Sequence, residues 1–228
     1  KNTKGDIYDK DFMDKLRQVT EEVFYIKGVE RSSVTSLFTP NVRYNEVVED
    51  GFRGGNIVSA DFAGTPEQLN QVRENLFKSD WVGRIVANDQ TAAMVVATLQ
   101  ENDPDTGQRL DLQEVAKKLE DIRTKYETDG YTVHIIGFAK AMGDIADGAA
   151  GVLVFFGVAF VVTAVLLYWY SGSLVLTSLA LICAIVPVIW LLGLLPVFGL
   201  GLDPMSILVP FLIFSIAVSH AVQMTNAW

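Results

Sequence analysis

The sequence predicts an α+β soluble domain over residues 1–147, followed by an all-α membrane bundle over residues 148–228. Two observations carry this division. All 18 Lys and Arg residues lie at or before Lys140, and of the 27 Asp and Glu residues only Asp203 lies beyond Asp147. From Gly148 onward the chain is almost continuously apolar, whereas a water-soluble domain needs a charged face. The overall hydrophobic content of 50% is ordinary, so the distribution decides the class and the mean does not.

In the soluble half, Asp11 to Ile26 reads as an amphipathic helix, with Phe12, Leu16, Val19, Val23 and Ile26 at three- and four-residue steps. Asp9 or Asp11 can cap its start, and Gly28 stops it. Ser33 to Phe38 reads as a strand ended by Pro40, and Tyr44 to Gly55, with three glycines, as a loop. Ile57 to Phe62 is a further strand candidate. Thr65-Pro66-Glu67 opens a helix that runs to about Lys78, with Thr as cap and Pro at the first helical position. Gly83 to Ala87 and Thr91 to Leu99 read as a strand pair joined by Asn88-Asp89-Gln90. The turn Asn102 to Gly107 precedes a helix over Leu112 to Tyr126, which Asp129-Gly130 breaks. Tyr131 to Ile136 is the last strand. Counted from Ile57, the order is β-α-β-β-α-β, the ferredoxin-like split βαβ plan. That plan hosts many functions and names none.

Composition excludes several classes. The soluble half is net acidic, which argues against nucleic acid and against docking on anionic lipid. There is no nucleophile elbow, no phosphate-cradling glycine loop and no metal-spaced His/Cys set, so no enzyme, cofactor or metal is expected. His134 lies in an apolar strand and reads as a packed or exposed histidine. Asp103 and Asp105 flank Pro104, a turn signature before it is a Ca²⁺ site. Cys183, the one cysteine, reads as a small apolar side chain within an apolar run.

Three spans are expected, at about 149–170, 173–195 and 204–226. Gly151 to Tyr170 is uncharged and close to the ~20 residues that cross a ~30 Å hydrocarbon core. Tyr168, Trp169 and Tyr170 form an aromatic belt at its far end. After the Ser171-Gly172-Ser173 turn, Leu174 to Leu195 forms the second span, kinked by Pro187 and ended near Pro196. The apolar loop Phe198 to Leu202 leads to Asp203 as cap and Pro204 as first residue of the third helix. Residues 141–228 hold no Lys or Arg, so the positive-inside rule assigns no orientation. The chain opens on a polar segment without a targeting signal and stops at the end of a helix, and it reads as an internal piece of a longer protein.

The third helix carries the candidate site. Ser215, Ser219, Gln223 and Asn226 follow four-, four- and three-residue steps, with His220 beside them. A polar stripe is costly against lipid, so it is expected to face protein or a water path. His220 lies roughly 22 Å along the helix from Met205, at ~1.5 Å per residue. His220, Ser219 and Gln223 are the proton-coupling candidates, since imidazole changes charge near neutral pH. The alternative for His220 is a neutral hydrogen bond to a neighbouring helix. Ser215, Ala217 and Ala221 are the candidate helix-packing residues, because small side chains let helices approach.

Four stretches resemble the resistance-nodulation-division (RND) superfamily in its MMPL-like exporter branch. Gly28-Val29 through Ser33-Val34-Thr35-Ser36-Leu37-Phe38 resembles the family's PGV…VxSL stretch. Tyr131 to Gly137 resembles the strand before the second transmembrane helix. Gly199 to Asp203 with Leu208 to Leu212 resembles the start of the fourth, and Ile216 to Gln223 its GxGVDYA core. The resemblance implies an extracytoplasmic porter domain over residues 1–147, then helices two, three and four of a longer transporter in the bacterial inner membrane. It implies proton-driven export of hydrophobic or lipid-like molecules, with membrane lipids, the protein's remaining transmembrane helices, and a homo-oligomer or accessory proteins as partners. Ser219 stands where the family often has Asp, and His220 where it often has Tyr, which departs from carboxylate coupling on this helix. Two other resemblances are weighed: a sterol- or lipid-sensing module of Patched-like type, and a SecD/SecF-like protein-export accessory.

Overall fold

The computed structural model describes residues 1–49, 51–200 and 206–226. The chain divides into two compact units, Lys1–Gly143 and Asp144–Trp228.

The first unit is built on three capped helices. Helix α1, Lys10–Phe24, starts at Asp9, whose carboxylate accepts the Phe12 N–H at 3.1 Å. Its apolar stripe buries Phe12, Met13, Leu16 and Val23. Helix α2, Pro66–Phe77, opens on a capping box: the Thr65 hydroxyl accepts the Gln68 N–H, and the Gln68 side chain accepts the Thr65 N–H. Helix α3, Leu112–Tyr126, is capped by Asp111, which accepts the Gln113 and Glu114 N–H groups. Two apolar cores result. One gathers Ile7, Met13, Leu37, Val42, Ile57 and Leu76. The other joins the end of α1 to α3 through Val23, Ile26, Val115, Ile122 and Tyr126.

The regular sheet among the described residues is a hairpin, β1 Arg43–Val48 and β2 Gly51–Asn56, with Arg43 opposite Asn56 and Val48 opposite Gly51. This hairpin replaces the loop expected over Tyr44 to Gly55. The hairpin has no buried face and so shows no apolar alternation to read. Gly51 supplies the positive φ (+133°) beside its turn.

The segments expected as strands carry isolated bridges instead. Thr35 pairs with Val96 through two backbone bonds of 2.8 and 2.9 Å, and Val29 bridges Leu99. Asn2 bridges Tyr131, and Val86 bridges Ala93. Side-chain hydroxyls interrupt the ladders. Ser33 Oγ accepts the Thr98 N–H, and Thr39 Oγ1 accepts the Ser36 N–H, so residues 31–39 turn where a strand was expected. Ile57 to Phe62 is likewise not a strand: Phe62 N–H bonds back to Ser59, and the Ile57 carbonyl accepts from the Asn75 side chain. Gly83 to Ala87 wraps around the Trp81 carbonyl, which accepts three N–H groups. Tyr131 to Ile136 keeps one bridged residue, Tyr131.

Helix α4, Phe138–Ser171, begins well before the apolar run. Its first turns dock on α3: Ala139 is buried, Lys140 lies 3.4 Å from Glu120, and a Cβ at Gly143 would stand 2.5 Å from the Ala116 methyl. The same helix continues into the second unit. There, helix α5 covers Leu174–Val197 with Pro187 inside it and Pro196 in its last turn, so the helix runs two residues beyond the expected end at Leu195. Helix α6 covers Val209–Asn226, preceded by a 3₁₀ turn at Ser206–Leu208. The expected cap at Asp203-Pro204 lies outside the described residues. Among the described residues two helices, α4 and α5, are long and apolar enough to cross a membrane. Their apolar windows are only 6% and 22% buried, whereas the core helix of a soluble protein is mostly buried.

Candidate functional site

Helix α6 packs on α5 and α4 through one face. Phe214 is 4% exposed and shares a cluster with Ala184 and Val188 of α5, joined by Ala217 and Val218. Phe156 and Phe160 of α4 meet the Phe214 ring at 5.2 and 5.7 Å, and Phe211 stands edge-on to Phe156 at 5.1 Å. At 3.6 residues per turn, Phe214, Ala217, Val218 and Ala221 fall on this one face.

The polar residues fall opposite. Ser215, Ser219, His220 and Gln223 are all exposed within this chain, on the arc turned away from Phe214. The structure therefore brings the three proton-coupling candidates together on one helix face and leaves that face open to what lies beyond α4 and α5. The expected packing set divides between the two faces. Ala217 packs in the Phe214 cluster, and Ala221, half-buried, shares its side of the helix. Ser215 stands on the open side, its hydroxyl donating back to the Leu212 carbonyl at 3.0 Å. Asn226 ends the helix, and its side chain is outside the described set. The aromatic cluster that seats α6 went unread, although Phe156, Phe160, Phe211 and Phe214 repeat at three- and four-residue steps.

In the first unit the titratable groups are engaged in structural networks. Lys27 Nζ lies 2.8 Å from Asp103 and 3.2 Å from Asp105, so a lysine ammonium occupies the turn between the two carboxylates. The Lys27 contact, with the Asp105 N–H, holds the Asp103 carboxyl below its ordinary range. Burial, and hydrogen bonds to Asp9 and Asp11, push the Tyr131 phenol far above its ordinary value. It is thus a fixed donor, giving its proton to Asp9 at 2.9 Å and steadying the α1 cap. His134 is exposed. Among the described residues no group of three His, Cys, Asp or Glu is placed to hold a metal.

A sequence model of the MMPL family matches residues 45–223, spanning α2, α3 and all three helices of the second unit. The chain belongs to the MMPL family. No curated protein and no solved structure matches it. MMPL proteins are membrane transporters of the RND superfamily, and the length and apolar composition of α4 and α5 accord with a membrane family. MMPL family members are transporters, and the exposed polar stripe on α6 is to be read in that setting.

Proposed function

We propose that this MMPL chain is part of a proton-driven exporter of hydrophobic or amphiphilic molecules such as lipids. Residues 1–147 form the extracytoplasmic porter domain, and residues 148–228 contribute three spans in a bacterial inner membrane. The observation that carries the reading is the polar arc of α6, with His220, Ser219 and Gln223 exposed on the side opposite Phe214. Polar groups that neither α4 nor α5 covers are expensive in lipid, so they face a further helix of the transporter or a water-filled path. His220 can accept and release a proton there; the Gln223 amide, three residues on, is its neighbour on the helix surface, and the Ser219 hydroxyl lies on the same polar arc. In this role the imidazole stands in for a relay carboxylate.

The porter domain is read as a split βαβ in a frame that begins at the first residues. Its four edges are the bridged segments 1–3, 29–35, 91–99 and 128–132, with α1 and α3 packed together over them. Residues 37–90, which hold the hairpin and α2, are then an insertion.

The test is transport by the full-length protein in proteoliposomes under an imposed proton gradient. His220→Ala is expected to abolish gradient-dependent export, and Ala217→Gly to retain it. Export by His220→Ala at the parent rate removes the residue from the mechanism. Lipid binding without any gradient-dependent transport favours the sensing module of Patched-like type.

A further inference from the structure

A cavity of about 280 Å³ opens in the first unit between α1 and the segments 38–40 and 56–62. Phe38, Pro40, Val58 and Phe62 line its apolar wall, and Arg17 and Glu21 stand over it from α1. The wall is preformed. Val58 and Phe62 are buried, and the Phe38 and Phe62 rings meet edge to face at 5.9 Å. Arg17 and Glu21 are four residues apart, so their Cβ atoms are ~6 Å apart on one helix face. They do not use each other. Glu21 makes no ion pair among the described residues, and Arg17 reaches Asp14 only at 3.7 Å while lying 5.6 Å from the Phe38 ring centre. A half-exposed guanidinium and an exposed carboxylate thus stand one helical turn apart on α1, at the rim of an aromatic-floored pocket.

We propose that this pocket binds the zwitterionic head of an amphiphile, a proposal that rests on the transporter reading above. The anionic phosphate or carboxylate docks on Arg17, whose planar fork matches two oxygens, and the ammonium docks on Glu21. The first methylenes lie on Phe38 and Phe62. A lone anion would meet repulsion from Glu21, and a lone cation from Arg17, so a molecule carrying both charges is the complement. The volume sits just under the ~300–1,000 Å³ of drug-sized sites. It accommodates a head and the start of a chain, and the remainder of the chain stays outside.

The experiment uses the full-length protein in nanodiscs of phosphatidylglycerol, with binding read by equilibrium dialysis of labelled probes. The probes are dodecyl phosphoethanolamine, dodecyl phosphate and free phosphoethanolamine. Dodecyl phosphoethanolamine is expected to bind, and Arg17→Ala, Glu21→Ala and Phe38→Ala each to weaken it tenfold or more. The double exchange Arg17→Glu with Glu21→Arg is expected to recover most of the affinity, because the head can turn around. Unchanged unfolding temperatures of the Arg17 and Glu21 variants separate lost binding from lost folding. Equal affinity for dodecyl phosphate overturns the zwitterion assignment, and equal affinity for free phosphoethanolamine overturns the amphiphile. Parent-level binding by both single charge variants overturns the site itself. Dialysis needs no gradient, so lost binding with intact transport, or the reverse, tells failure here from failure of the exporter reading.

Discussion

Val47 of the hairpin is 78% exposed and Val161 in the middle of α4 is 60% exposed, yet the two valines face different solvents. In the first unit apolar side chains such as Ile7, Met13, Leu37 and Leu76 are buried, and Lys, Glu and Asp supply much of the outside. In the second unit the order is reversed: Val161, Phe155 and Trp190 point out, while small residues such as Ala180 and Ala184 lie against neighbours. Exposure is ordinary for a polar side chain in the first unit and ordinary for a valine on the apolar stretch of α4. By the same comparison, exposed Ser219, His220 and Gln223, clustered with Ser215 on one arc of an apolar helix, depart from the pattern of their own unit, which is why they mark a site there.

The contrast is sharpest at the fully buried Leu76 of α2, which has no exposure. Leu76→Ala is expected to destabilise the first unit by about 2–5 kcal/mol, measured by denaturant unfolding of the full chain in detergent micelles. A cost under ~1 kcal/mol would mean that the core around Ile57 and Leu76 does not hold the unit together. Next in size is a matched pair of substitutions. Val161→Arg places a charge at the middle of the first span, where insertion costs about 2.5–3.5 kcal/mol, whereas Val47→Arg on the hairpin stays within about ±0.5 kcal/mol. Glycosylation-site mapping of membrane integration reads the first, and unfolding reads the second. Equal tolerance at both positions breaks the comparison, because α4 would then not face lipid.

The helices of both units were legible because their signals are local. Asp9, Thr65-Pro66 and the stripe of Leu112, Val115, Leu119 and Ile122 each announce a helix within a few residues. The strands were not legible, because Ser33, Ser36 and Thr39 divert N–H groups that a ladder would use, and hydroxyl competition leaves no periodic trace. The early start of α4 was hidden because Lys140 and Asp144 look like the end of a soluble segment, while it is the docking of Ala139 and Gly143 on α3 that makes the helix begin there. The polar stripe of α6 could be read from spacing alone. Which side of α6 meets α5 could not, since Ala217 and Ser215 are equally small and only the place of Phe214 separates them. The pocket under Arg17 draws on residues from 17 to 62, and no window of sequence contains it.

The smallest expected effect tests whether the outside of the first unit behaves as an aqueous protein surface. Lys125 Nζ meets Glu22 at 2.5 Å, and the Tyr126 hydroxyl donates to the same carboxylate at 2.7 Å. Burial alone would raise the Glu22 pKa, but the Lys125 and Tyr126 bonds outweigh it and hold the value below the ordinary 4.5. The Glu22 carboxylate and the Tyr126 hydroxyl raise Lys125 above its ordinary 10.5. A depressed carboxyl contributes stability above its unfolded pKa and loses it as pH falls through the folded value. A raised amine contributes below its unfolded pKa and loses it as pH rises through the folded value. The pair's contribution is therefore complete between about pH 4.5 and 10.5 and fades beyond each limit as the pH passes the folded-state value. Lys125→Met is expected to lower the unfolding temperature by a small constant amount across that window, the gap closing on both sides of it and shrinking with added salt. A gap that widens as the pH drops below 4.5 reverses the sign for Glu22 and places that carboxyl in an environment that favours its neutral form.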